Sequence, residues 1–308
     1  MIPSRTDDRH TSSIRPQLLA LFLVTLMGCD GADRISSPST PEQSAGPTGS
    51  GPSGIPFGAF AQPISVFGPT YTGGQLNPVY PDSLLRYLAA IKAAKGRVSL
   101  SLPGGPGGYT TAEGKFDLAK WKTRVARYKV VNFDSYITDN TIIGNYIIDQ
   151  PNCTTCWGGQ SIPQSTVEEM ARYSDSLWPG LATIARVDPT WLAQYSGSYT
   201  YLDAGWAQYV MRKGDVNTYL ADNIAAAQSK GLRVIVGLNV LNGGLNQGSL
   251  TASQVKDFGS VMLSSSYACA FMSWQYNAAY FSASDIKSAM SLLSKKAARH
   301  VPSSCSKS

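Results

Sequence analysis

The sequence predicts an α/β fold, a (β/α)8 TIM-like barrel with one irregular or missing strand, and three observations predict it. From residue 55 onward one plan repeats: a short apolar run, a loop rich in Gly, Pro or Asn, then an amphipathic helix. The apolar runs are mostly continuous instead of alternating, which marks strands buried on both faces of a parallel sheet. The stretch from 55 to 308 also has the length of about 250 residues that such a barrel needs. A doubly wound open sheet is the competing arrangement. No Gly-x-Gly-x-x-Gly follows the first apolar run, however, and Pro103-Gly-Gly-Pro-Gly-Gly108 lacks the Lys-Ser/Thr of a phosphate-binding loop.

In chain order, the strands are expected at 57–60, 98–102, 142–148, 181–186, 200–203, 234–238 and 267–273. That makes seven, and the eighth is sought near 129–133, where a strand and a helix end read alike. Asp82 is expected to cap a helix whose apolar face is Leu84, Leu85, Leu88 and Ile91, stopped at Gly96. Leu118, Trp121, Val125 and Tyr128 mark the next helix. Thr166 and Glu169 have the spacing of a capping box ahead of Met170, Tyr173 and Leu177. Asp215 opens a helix through Tyr219, Leu220 and Ala227 that ends at Gly231. Val255, Phe258 and Met262 mark a fifth, and 284–299 a sixth.

Composition narrows the chemistry. The chain is 43% hydrophobic and only 15% charged, with 26 Lys+Arg against 20 Asp+Glu. Residues 1–54 hold 4 basic and 5 acidic residues, so the remainder has 22 and 15, a net of +7. No basic block stands out, so nucleic acid is not an expected partner. The only histidines are His10 and His300, too few for a His-rich zinc site or a Ser-His-Asp triad. No metal and no cofactor is expected. From residue 55 the only glutamates are Glu113, Glu168 and Glu169.

The first residues do not belong to the barrel. Arg5, Arg9 and Arg15 precede an apolar run at 18–27, shorter than the roughly 20 residues a membrane span needs. It has the form of a secretory signal. It ends Leu26-Met27-Gly28-Cys29, which resembles the lipobox of bacterial lipoproteins. The resemblance implies a signal peptide at 1–28, a lipid on Cys29, membrane attachment through that lipid, and a place in the bacterial cell envelope. An unlipidated signal peptide is the plainer alternative. Residues 29–54, rich in Ser, Pro, Gly and Thr, read as a linker with too little apolar surface to fold, and the barrel as 55–308.

Four cysteines follow: Cys153, Cys156, Cys269 and Cys305. An even count in an exported protein favours two disulfides, 153–156 and 269–305, over a redox motif or a zinc site. The second would staple the C-terminal tail to the strand carrying Cys269.

In a barrel of this kind functional groups stand at the carboxyl ends of the strands. Those ends read Gln62, Asp149, Gln150, Arg186, Asp188, Asp203, Trp206, Asn239, Trp274, Gln275 and Tyr276. Aromatic faces and amides suit a sugar, whose C–H faces stack on rings and whose hydroxyls pair with polar groups. The run Ile142-Ile-Gly-Asn-Tyr-Ile-Ile-Asp149-Gln150-Pro151-Asn152 resembles the fourth strand of TIM-barrel glycosidases, which ends Asp/Asn-Glu-Pro. Phe271-Met-Ser-Trp274-Gln275-Tyr276 resembles their last strand, which often offers a Trp to the sugar.

The resemblance implies a carbohydrate ligand or substrate, and it also marks a departure. Where the family carries its acid/base Glu, this chain has Gln150. Where a retaining member carries its nucleophile, the penultimate strand ends in Asn239. An amide does not exchange a proton at neutral pH as a carboxylic acid does. Catalysis would fall to Asp149 and Asp203, with Asp188 as substitute and Gln62, Gln150, Arg186, Trp206, Asn239, Trp274, Gln275 and Tyr276 binding the sugar. A carbohydrate-binding protein without turnover is the other reading, and a structural envelope protein a third. A purely structural Asp149–Arg186 pair stands beside the catalytic assignment.

Overall fold

In the computed structural model, which describes residues 53–77 and 79–307, eight parallel strands form a nearly closed TIM-like barrel. They are β1 (Phe57–Ala59), β2 (Gly73–Leu76), β3 (Arg97–Leu100), β4 (Ile142–Asp149), β5 (Thr183–Arg186), β6 (Ala204–Tyr209), β7 (Arg233–Leu238) and β8 (Ala268–Ser273). Hydrogen-bonded neighbours run β1-β8-β7-β6-β5-β4-β3-β2. Between them lie α1 (Pro81–Ala93), α2 (Leu118–Ala126), α3 (Asp134–Thr138), α4 (Gln164–Leu177), α5 (Pro189–Leu192), α6 (Val216–Ser229) and α7 (Ala252–Met262), and after β8 come α8 (Ala278–Ser282) and α9 (Ser284–Ala297). The expected signal peptide, Cys29 and nearly all of the linker lie outside the described residues.

Two strand expectations need correction. The eighth strand is not near 129–133, where a 3-10 turn, Arg127–Val130, stands instead; it is Gly73–Leu76. Gly-Gly-Gln-Leu carries no apolar run because β1 and β2 approach too closely for one. A Cβ on Gly58 would lie 1.8 Å from the Gly73 carbonyl oxygen, and one on Gly73 would lie 2.6 Å from the Pro56 Cβ. The segment 200–203 is likewise not a strand. The Glu168 carboxylate collects the amides of Thr200, Tyr201 and Leu202 at 2.6–3.0 Å, holding them off the sheet, and β6 begins one residue later. Two helix starts also differ. Asp82 lies in the first turn of α1 behind Tyr80, and α4 starts at Gln164 without a side-chain cap. Asp215 does cap α6, accepting from the amides of Asn217 and Thr218.

The gap between β1 and β2 is stitched by side chains. Their one backbone bridge joins Phe60 and Gln75. Beside it the Gln62 Oε1 accepts the Ala59 amide at 3.1 Å while its Nε2 donates to the Gly73 carbonyl at 3.0 Å. Thr72 and Gln75 accept the amides of Phe57 and Ala61. These polar groups replace ladder bonds that buried backbone would otherwise lack.

Two apolar cores result. The larger joins strands to helices; the smaller fills the barrel with Phe60, Tyr146, Ile184, Trp206, Ile235 and Met272. At the amino ends of the strands the barrel is closed by the C-terminal tail. Cys305 is disulfide-bonded to Cys269 and joins the inner core, and the Cys153–Cys156 bridge forms as expected from the count.

Candidate active site at the barrel mouth

Strand direction sorts the expected site residues between two ends. Asp149, Arg186 and Trp274 follow from the carboxyl ends of β4, β5 and β8 and meet there. Arg186 Nη1 donates to the Asp149 carboxylate, and Nη2 to Gln208 Oε1 at 2.6 Å. The guanidinium lies 3.8 Å from the centre of the Trp274 ring, which also packs at 4.3 Å against Phe60. Arg186 is thus held by a carboxylate, an amide and an indole face, and its side chain is 5% exposed against 34% for Asp149. The guanidinium's planar donor array suits this clamp.

Gln208 and Tyr146 are site residues the sequence reading missed. Alternation along β6 puts Gln208 on the same inward face as Trp206, but only once β6 is placed at 204–209. Tyr146 points inward from β4, and burial pushes its hydroxyl well above the ordinary tyrosine range. Beneath the Arg186 clamp the Tyr146 hydroxyl lies against the guanidinium, and Gln208 Nε2 and Trp206 Nε1 are buried without a hydrogen-bond partner among the described residues. Buried polar atoms seldom stay unpaired, which sets this layer apart from the apolar core around it.

The other expected residues divide. Gln150 is exposed, its backbone at φ 42°. Its carbonyl accepts from Cys153 N and Trp157 Nε1, so it turns the chain toward the small disulfide loop. Asn239 bridges to Trp274 and its Oδ1 accepts the Asn242 amide at 2.9 Å, shaping the loop after β7. Gln275 and Tyr276 are half-buried at the rim, where the Tyr276 amide donates to the Phe60 carbonyl and its ring stacks on Phe281.

Three residues stand elsewhere than expected. Trp206 is fully buried within the barrel instead of at a strand end. Gln62 is spent on the β1–β2 seam. Asp203 precedes β6, at the amino end of the strands, because that strand starts later than its sequence suggests. Its carboxylate accepts from the Thr183 amide at 2.8 Å and the Lys307 amide at 3.2 Å, and burial raises it above the ordinary aspartate range. Asp149 and Asp203 are therefore at opposite ends of the barrel. Asp188, the substitute, pairs with Lys213 at 2.6 Å and accepts the Tyr219 hydroxyl at 2.7 Å, tying the loops after β5 and β6 to α6.

No protein-family model matches the chain, and no curated protein matches its sequence. Solved structures share its fold. A mutant of xylanase 10C from Cellvibrio japonicus, in complex with xylopentaose, superposes with a TM-score of 0.51 at 9% identity, over 84% of this chain and 69% of that one. ScGas2, solved in complex with a bound compound, gives 0.50 at 12% identity over 80% and 60%. The intracellular xylanase of Thermoanaerobacterium saccharolyticum gives 0.49 at 11% over 72% and 86%. At such identities the likeness is one of fold.

Proposed function

We propose that this chain is a carbohydrate-active barrel whose mouth receives a saccharide and whose Asp149 acts on the glycosidic bond. The observation that carries the reading is the Asp149–Arg186–Trp274 cluster at the carboxyl ends of β4, β5 and β8. One carboxylate oxygen is held by Arg186 and the other is open to a ligand beside a half-exposed indole. Trp274, half-buried between Arg186 and Phe60, adds apolar surface beside that oxygen. The barrel shared with a xylanase solved on xylopentaose supports the same substrate class.

With Asp203 at the far end, hydrolysis rests on Asp149 as base: it takes a proton from water, whose oxygen bonds the anomeric carbon as the glycosidic C–O bond breaks, and the departing oxygen is protonated from solvent. A second reading, binding without turnover, draws on the amides Gln150 and Asn239 at the positions where related barrels place glutamates. One experiment separates the two. Polysaccharides and oligosaccharides are screened for release of reducing ends and, in parallel, for binding. Hydrolysis by the wild type that falls about 10²–10⁴-fold in Asp149→Asn, with binding retained, establishes the catalytic reading. Binding without release in the wild type establishes the second. Full hydrolysis by Asp149→Asn removes Asp149 from the mechanism. We also infer that Cys29 bears a lipid anchoring the protein in a bacterial envelope, because a basic segment, a short apolar run and Leu-Met-Gly-Cys occur in that order. Mass spectrometry of the N-terminal peptide tests it, and an unmodified Cys29 in a membrane-free protein overturns it.

A further inference from the structure

The net charge of the barrel is concentrated at one end. The segments running from the helix ends into β3, β4, β5, β6 and β7, together with the C-terminal tail, are 90–97, 134–142, 174–183, 200–203, 226–233 and 294–307. They hold 9 Lys+Arg and 4 Asp+Glu, a net of 9 − 4 = +5. The other described residues hold 22 − 9 = 13 basic and 15 − 4 = 11 acidic, a net of +2. Cations at helix carboxyl ends complement the helix dipole. That accounts for Lys92, Lys295 and Lys296, while Arg97 is held by the Gly54 carbonyl and Arg233 lies over the Tyr267 ring.

The same end has two further properties. Toward its carboxyl end the outward side of α9 presents Leu292 and Lys295, and just past it Arg299. Leu292 is 45% exposed there, and Val301 just beyond is 80% exposed. Among the described residues neither Lys295 nor Arg299 forms an ion pair. The chain also enters the barrel here. Ile55 donates its amide to the Ala297 carbonyl at 3.1 Å, and Arg97 Nη2 donates to the Gly54 carbonyl at 2.9 Å. The first described residues thus lie at the cationic end, beside the carboxyl end of α9.

We infer that this base docks on an anionic lipid bilayer through the carboxyl end of α9 and the segment that follows it, so that the mouth opens away from the membrane. Exposed lysine and arginine meet phosphate headgroups, and Leu292 and Val301 reach the interfacial layer, as on a peripheral amphipathic helix. The docking shares with the functional reading only the direction in which the mouth points. Neither the saccharide nor the lipid on Cys29 is needed for it.

The test uses the chain from position 29 onward with Cys29→Ser. It retains the compact unit Gly49–Ser308 and lacks the apolar signal run. Cosedimentation compares vesicles of phosphatidylcholine with vesicles in which one third is phosphatidylglycerol, at about 0.1 M and about 0.5 M salt. Binding is expected to the anionic vesicles alone and to fall at the higher salt. The double variant Lys295→Glu/Arg299→Glu is expected to weaken it at least about tenfold. Reversing two exposed cations away from the base, Lys115→Glu/Arg212→Glu, is expected to change it by less than about threefold. Equal binding to both vesicle types, no binding at all, or equal losses in the two double variants overturns the proposal. Lipidation of Cys29 is read separately on the full chain, so one result does not decide the other.

Discussion

At the mouth, Asp149 is one-third exposed and joined to Arg186, which lies over the half-exposed ring of Trp274. At the base, Asp203 is 8% exposed, and its carboxylate is filled by the amides of Thr183 and Lys307, while Lys307 Nζ is spent on the carbonyls of Tyr199 and Leu202. Both ends set an aspartate against basic side chains. At the mouth the ion pair leaves a carboxylate oxygen and the buried donors of Gln208 and Trp206 unclaimed. At the base every acceptor has a protein partner and a disulfide locks the tail over it. A carboxylate that closes a structure and one that meets a ligand thus differ in what their neighbours leave unfilled, not in residue type.

The comparison can be broken at either end, and the largest effect is expected at the base. Cys305→Ser opens a disulfide spanning 36 residues and should lower stability by about 3–4 kcal/mol in chemical denaturation. The mouth, read through saccharide binding at a temperature where the variant stays folded, should be unaffected. An equal loss of binding would mean that the ends are not independent. The Cys153–Cys156 bridge, separated by 3 residues, should contribute far less on the same argument.

Next comes the seam. Gln62→Leu leaves the Ala59 amide and the Gly73 carbonyl without partners and should cost about 2–3 kcal/mol in a thermal or urea melt. Had Gln62 been a sugar ligand instead, the variant would lose affinity and keep its stability.

The smallest effect expected is a change in pH dependence. Burial, only partly offset by bonds to Thr183 and Lys307, raises Asp203 in the folded state. The folded protein therefore holds this proton more tightly than the unfolded chain. The resulting stabilisation is complete below the unfolded aspartate value of about 3.9 and is lost as pH rises through the raised folded value. Asp203→Asn should remove that loss. Its Tm relative to wild type should improve as pH rises from about 4 toward neutrality, and a difference independent of pH would contradict the burial of Asp203.

The mouth was legible in part. Asp149, Arg186 and Trp274 each follow directly from a strand that is apolar, continuous and correctly placed in the sequence, so reading the strand ends found them. Asp203 and Trp206 were misplaced together by one error, the start of β6. Tyr201 and Leu202 look like strand residues, and only the Glu168 carboxylate, 32 to 34 positions away, shows why they are not. Gln208 was lost with the same strand.

Taken alone, the amino-acid sequence determined the alternation of strands and helices, the parallel sheet, the two disulfides and the carboxylate at the end of β4, because each is written in local patterns or cysteine count. It did not determine β2, the closing of the barrel by Gln62, or the end on which each aspartate stands. Those depend on how closely two glycine-bearing strands approach and on which distant side chain claims a backbone amide, and such distances exist only once the chain has folded.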